Sequence, residues 1–154
     1  MQRHLLSQPA ALQFLLGGNA TFTLENTKTG NRFTFLVIKI RDDAPYFVKV
    51  LTGPNNDSYH NYHYIGVIKT ATYTGQAKPY FTWGQKSKVS DKAQSVKVFY
   101  WLMDCLNNQN LPDFVRFYHE GKCGRCGRKL TVPESIMTGF GPECKNIMSG
   151  KHGR

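Results

Sequence analysis

The chain is short of cysteine, of acid and of long apolar runs, and each shortage closes off a class of protein. Four cysteines occur in 154 residues, and three of them, Cys123, Cys126 and Cys144, crowd near the C-terminus. A secreted disulfide framework distributes its pairs through a small domain. The clustered pattern instead points to a reducing compartment and to a metal site. No stretch approaches the ~20 continuous apolar residues of a membrane span. Residues 1–18 contain the apolar run Ala10 to Leu16, but Gln8, Pro9 and Gln13 interrupt it and no small-residue cleavage site follows. They read as a helix of the mature protein rather than a signal peptide. The sequence also lacks a phosphate-cradling Gly-Lys-Ser/Thr loop, a nucleophile elbow and a paired His-Glu zinc helix. A non-enzymatic protein is the expectation.

Ten acidic residues stand against 20 lysines and arginines, for a formal charge of +10. A field of that sign draws polyanions, both nucleic acids and acidic protein surfaces. The excess is steepest after residue 114, with eight basic residues and three acidic ones. Apolar residues make up 40% of the chain and aromatics 13%, enough to build a core.

Ser7 and Pro9 can open a helix that Gly17-Gly18 closes, with Leu12, Leu15 and Leu16 as its buried stripe. The period then changes. Ala20 to Leu24 alternates apolar and polar residues like a half-buried strand, and Asn26 to Asn31 supplies turn chemistry around Gly30. Arg32 to Arg41 reads as its hairpin partner, with both faces partly covered or a bulge near Leu36-Val37. Tyr46 to Leu51 and Tyr62 to Lys69 read as further strands, the latter with Gly66 at a bulge or close approach. One or two short strands lie between Thr70 and Trp83. Past Gly84, Ser90 or Asp91 can cap a helix carrying Val96, Phe99, Tyr100, Met103 and Leu106, which Asn107 to Asn110 ends. The fold expected is α+β: a body over 1–114 with an antiparallel β-rich sheet and flanking helices, and a zinc-knuckle segment over 115–154 docked upon it.

The chemistry concentrates there. Cys123 and Cys126 have the two-residue spacing that lets both thiolates reach one ion, and Gly124 and Gly127 relieve the tight turn. Cys144 follows 18 residues after Cys126, behind a Gly141-Pro142 step that favours entry into a short helix. A closed structural zinc site needs four ligands. His119, four residues before Cys123, is the first choice for the fourth; His152 and Cys105 are the alternatives, although the neighbours of Cys105 suggest a buried core thiol. A redox dithiol would leave Cys144 unexplained. Arg125, Arg128, Lys129 and Lys145 surround the loop. They can contact phosphate or an acidic protein groove, or simply form a solvated rim that offsets thiolate charge.

The pattern His-x-Gly-x-Cys-Gly-x-Cys-Gly-Arg-x-Leu-Thr-x-Pro-x-Ser, then Gly-x-Gly-Pro-x-Cys, spans His119 to Cys144. It resembles an uncharacterised zinc-binding domain common in phage and prophage proteins. The resemblance implies His119, Cys123, Cys126 and Cys144 as ligands of one zinc ion, and a phage accessory protein without an assigned reaction. The stretches Tyr64-Ile65-Gly66 and Lys86-Ser87 are similar to the N-terminal parts of some such proteins. Some small phage proteins inhibit the RNA-guided nucleases of type II CRISPR defence. The size and charge of this chain are compatible with that anti-CRISPR group, whose partner would be a host nuclease. Direct sequence-independent nucleic-acid binding is the alternative, and a metal-dependent hydrolase using Glu120 or Glu134 the third.

Two other clusters read as ordinary surface. Tyr59 to Tyr64 is rich in aromatics and imidazoles, but a strand edge and its loop accounts for it. His60 and His63 are three apart and would face opposite sides of a strand. Asp42-Asp43 reads as a solvated turn.

Overall fold

The computed structural model describes residues 3–52, 61–73 and 75–148. Eleven elements follow in the order β1 (His4–Leu6), α1 (Gln8–Leu15), β2 (Asn19–Asn26), β3 (Arg32–Ile38), β4 (Tyr46–Leu51), β5 (Tyr62–Tyr73), β6 (Gln76–Trp83), α2 (Gln94–Asn108), β7 (Val115–His119), α3 (Pro133–Thr138) and α4 (Pro142–Met148). Seven strands form one sheet in the order β1-β7-β2-β3-β4-β5-β6, and every pairing is antiparallel. The sheet curves into a half-barrel, and the class is α+β as expected.

The strands β2 to β6 form a meander because alternation and turn residues agree along it. Phe22, Phe35 and Val50 stand opposite one another across β2, β3 and β4, as do Ala20, Val37 and Val48. All six are buried on one face. Phe99 of α2 lies edge-on to Phe35 and beside Phe81 of β6, with ring centroids 4.9 and 4.7 Å apart. This places α2 on that face and makes it the centre of the core. The β2–β3 and β3–β4 registers run unbroken through Leu36-Val37, and Leu36, pointing the other way, is only 7% exposed. Coverage on both faces, not a bulge, explains that strand. The bulge falls instead between Val48 and Lys49, opposite Gly66 and Tyr64. A side chain on Gly66 would strike the Thr82 carbonyl at 2.2 Å and the Phe81 ring at 2.8 Å, the close approach its sequence position suggests.

The helix α2 begins later than expected. Ser90 Oγ accepts from the Lys92 amide at 3.0 Å and closes a turn ahead of the helix, and Ala93 occupies the cap position without a side-chain bond. Its C-terminus ends where expected: Gln109 turns left-handed and the Asn110 amide donates back to Cys105 O at 3.0 Å. Tyr100 is 41% exposed rather than core, and its hydroxyl accepts the Trp83 backbone N–H at 2.7 Å.

Two strands differ from the sequence expectation. His4–Leu6 pairs with β7, and β7 itself lies between β1 and β2. The C-terminal segment therefore enters through a strand inside the sheet. Val115, Phe117 and His119 face the core while Arg116 and Tyr118 face away, a regular alternation that marks β7 as a strand. The helix α1 lays Ala11, Phe14 and Leu15 on the core, with Leu12 and Leu16 only partly buried. Phe14 reaches furthest: its ring meets Phe117 at 6.2 Å, His119 at 5.4 Å and Phe140 at 6.0 Å. It therefore joins the sheet to the C-terminal segment. Among the described residues, no helix is long and apolar enough to cross a membrane.

Truncating Phe14 removes packing from both units at once, so Phe14→Ala is expected to cost about 3–5 kcal/mol of stability in denaturant unfolding. A cost under about 1 kcal/mol would show that the ring does not join them.

Candidate metal centre

Past β7 the chain makes a tight, hydrogen-bonded loop. The Leu130 amide donates to Gly121 O at 2.7 Å, the Cys123 amide to Arg128 O at 2.8 Å and the Gly127 amide to Cys123 O at 2.9 Å. Lys122 and Lys129 form the one-step antiparallel bridge that closes it. Gly127 takes φ of +79°, which a side chain resists. Gly124 serves differently, through close approach. A side chain there would meet the Phe14 ring at 2.7 Å, while its amide donates to Gly139 O and its carbonyl accepts from Asn19 N, each at 2.8 Å. The loop is thus stitched to both α3 and the start of β2. Cys144 sits in the first turn of α4, which opens at Pro142 just after Gly141, as the sequence suggests.

These three arms bring the Cys123, Cys126 and Cys144 sulfurs within 4.8 Å of one another. Cys123 and Cys144 are buried and Cys126 is exposed. The Arg125 amide donates to Cys123 Sγ at 3.4 Å, and the Arg125 guanidinium lies 3.6 Å from Cys144 Sγ. Burial opposes ionisation of Cys123, but the backbone amides of Cys126, Gly141 and Arg125, with the Cys126 thiol, outweigh it and hold Cys123 below the ordinary thiol value. Cys144 goes the other way. Burial, reinforced by Cys126 and Cys123, pushes it up to about 11 against the pull of Arg125. Three sulfurs so close cannot all carry charge without a counter-cation, and a bound metal ion supplies one. The cluster can hold such an ion.

His119 does not join it. Because His119 points to the core face of β7, its ring is 0% exposed and packs between His4 at 5.2 Å and Phe14 at 5.4 Å. Nδ1 accepts the Gly121 amide at 2.9 Å, which leaves Nε2–H to donate to Ile136 O at 2.7 Å. Both ring nitrogens are occupied by backbone, so in this arrangement the imidazole braces the metal segment instead of ligating. Burial, with a smaller contribution from the His4 charge, lowers its basicity despite the opposing Ile136 bond. Cys105 lies apart, buried on α2 with its thiol raised first by burial and then by Asp104. His152 falls outside the described residues. Among the described residues no fourth ligand is evident.

The four cations of the rim, Arg125, Arg128, Lys129 and Lys145, are all exposed. Glu134 lies exposed in the first turn of α3, and neither it nor Glu120 belongs to the three-sulfur group. Asp42 and Asp43 are exposed in the β3–β4 turn, where Asp43 pairs with Arg41 at 3.2 Å. His63 is exposed on β5, while Tyr59 and His60 fall outside the described residues. Sequence reasoning missed Phe14, although Phe14 follows Ala11 by three residues and so shares a helical face with it.

Residues 116–148 match the model of a family of unknown function (DUF6011). No curated protein and no solved structure matches the chain significantly. The partial match and the three converging cysteines together fit a metal-binding domain of the kind the sequence pattern resembles.

The histidine geometry carries its own expectation. Heteronuclear NMR should find His119 as the neutral Nε2–H tautomer at pH 7, without the shifts of a metal-bound ring. Because the folded state holds His119 below its unfolded value of about 6.5, its contribution to stability is present above that pH and declines as the pH falls further. A metal-bound His119 signal would contradict this reading.

Proposed function

We propose that the chain is a non-enzymatic binding protein whose C-terminal segment is held by one structural zinc ion. The observation that supports zinc is the mutual approach of three sulfurs, all within 4.8 Å. Sulfurs sharing a tetrahedral zinc at about 2.3 Å lie roughly 3.8 Å apart, a small adjustment from this arrangement. Thiolate ligands favour zinc over the hard oxygen-seeking cations. Cys123, Cys126 and Cys144 would hold the ion, and its role would be to fix the loop and the two short helices that follow. Amide and guanidinium donors already directed at the sulfurs suit ligands carrying residual negative charge. His152 is a candidate fourth ligand, and its position eight residues after Cys144 gives the chain reach to fold back.

The partner we propose is a host nucleoprotein, an RNA-guided CRISPR nuclease, whose access to DNA the chain would block as a phage-encoded inhibitor. The charge of +10, the exposed rim of Arg125, Arg128, Lys129 and Lys145 and the resemblance of the cysteine segment to phage domains support this reading. A surface of that sign is complementary to a groove that accepts or mimics nucleic acid. Arg125 has a second duty at Cys144, so the remaining three cations are the cleaner probes of partner contact.

Two measurements follow. Native mass spectrometry should find one zinc per chain, lost when Cys123 and Cys126 are both replaced by serine; a full equivalent retained by that double variant would overturn the assignment. The purified chain should lower DNA cleavage by a susceptible type II nuclease and co-purify with it, and Arg128→Glu with Lys145→Glu should relieve inhibition at least about tenfold. Unimpaired inhibition by that variant would remove the rim from the interface, and no inhibition across a broad nuclease panel would remove the proposed partner.

A further inference from the structure

The helices α1, α2 and α3 pack on one face of the sheet, through Phe14, Phe99 and the Ile136 carbonyl. The register sets out what the opposite face presents. Across β1, β7, β2 and β3, Leu5, Tyr118, Thr23 and Thr34 stand in one row. Across β3 to β6, Ile38, Phe47, Val67 and Thr82 stand in another, with Lys69 opposite Tyr80 beyond it. Of these ten side chains three are rings (Tyr118, Phe47, Tyr80), three are aliphatic, three are threonines and one is the cation Lys69.

Each exposed or half-exposed ring on this face has a cation beside it. Arg3 lies over the Tyr118 ring at 4.9 Å, and Arg116 lies two residues back on the same strand, hence on the same face. Phe47 and Tyr64 approach with centroids 6.2 Å apart and line a groove of about 550 Å³ that Lys86 also lines. Tyr80 is 42% exposed, with Lys69 directly across from it. Among the described strand residues the one acid is Glu25, on the same face two residues from Thr23, flanked by Arg32 and Arg116 across the strands and 3.9 Å from Arg3. The face is therefore positive on balance.

We infer that this helix-free face, with Thr23 and Leu36 buried near its middle and Leu5 and Tyr80 exposed towards its edges, is a platform for single-stranded nucleic acid. Flat rings on a sheet can stack only on bases that are not already stacked and paired, and a cation beside each ring meets the phosphate that accompanies each base. Adjacent strands are about 4.8 Å apart, so rings on β7, β4 and β6 define a path crossing most of the sheet. A duplex hides its base faces and would meet only the cations. A docked protein would use the apolar groove but leaves the regular pairing of ring and cation unaccounted for. This surface lies on the opposite side of the sheet from the helix-packed core and uses none of the four rim cations, so it stands or falls independently of the nuclease proposal.

The test is fluorescence anisotropy with the full chain, zinc present, against a labelled 20-residue oligothymidine and a duplex of equal length. Binding should favour the single strand, weaken steeply as salt rises, and fall at least about fivefold in Tyr80→Ala combined with Lys69→Glu, the lower end for loss of one base–ring stack. Circular dichroism and zinc content should be unchanged in that variant, and Arg128→Glu should bind the oligonucleotide like the parent. Equal affinity for the duplex, insensitivity to the Tyr80 and Lys69 changes, or no single-strand binding at low salt would each overturn the inference. If nuclease inhibition is lost by the rim variant while oligonucleotide binding persists, the two surfaces are separate; if inhibition never occurs, oligonucleotide binding still decides this one.

Discussion

The convergence of three sulfurs within 4.8 Å is the constraint on which the C-terminal part of the structure depends. Between His119 and Met148 the chain has two helices of six and seven residues and a one-step bridge. Such short elements do not stand alone in water. What fixes them is cross-linking: sulfur to sulfur at the proposed zinc, Gly124 to Gly139 and to Asn19 through backbone bonds, and His119 to Ile136 through its ring. A proposed metal ion and a buried imidazole thus share the work of holding one loop, and the imidazole does so from the core side of the sheet.

That division also explains why the segment is part of the body. Its first five residues form β7, between β1 and β2, and Phe14 lies beneath both Gly124 and Gly139. Side chains on those glycines would come within 2.7 and 2.4 Å of the ring. Small residues on one side and a large ring on the other make a joint that leaves no room for slippage. Any loosening at the sulfurs is therefore expected to reach α1 and the edge strand β1, not just the tail.

Most of the meander was legible in the sequence because its signals were local. Alternation in Ala20 to Leu24, turn residues around Gly30 and the apolar stripe of α2 each depend on neighbours a few residues away. The cysteine cluster was legible for the same reason, through the spacing of Cys123 and Cys126 and the Gly141-Pro142 step before Cys144. What could not be read was non-local. His4–Leu6 becomes a strand only because β7 lies beside it, and three residues carry too little pattern to announce that. His119 looked like a ligand from its spacing, yet the core-facing side of β7 directs it at Phe14 and Ile136. Whether a histidine four residues from a thiol binds metal or braces backbone is decided by which face of a strand it occupies, and that depends on strand order. Leu36-Val37 was ambiguous for a similar reason, since Leu36 stands between Thr21 and Lys49 of the neighbouring strands and its burial depends on that register.

Hydrogen exchange of the zinc-loaded chain, before and after removal of the ion by a chelator, tests the central claim most directly. If the sulfur cluster fixes the segment, amides of residues 121–148 lose protection when the ion leaves, while the β3–β4 pairs in the middle of the meander keep theirs longer. Unchanged protection over 121–148 after complete removal of the metal would contradict the account.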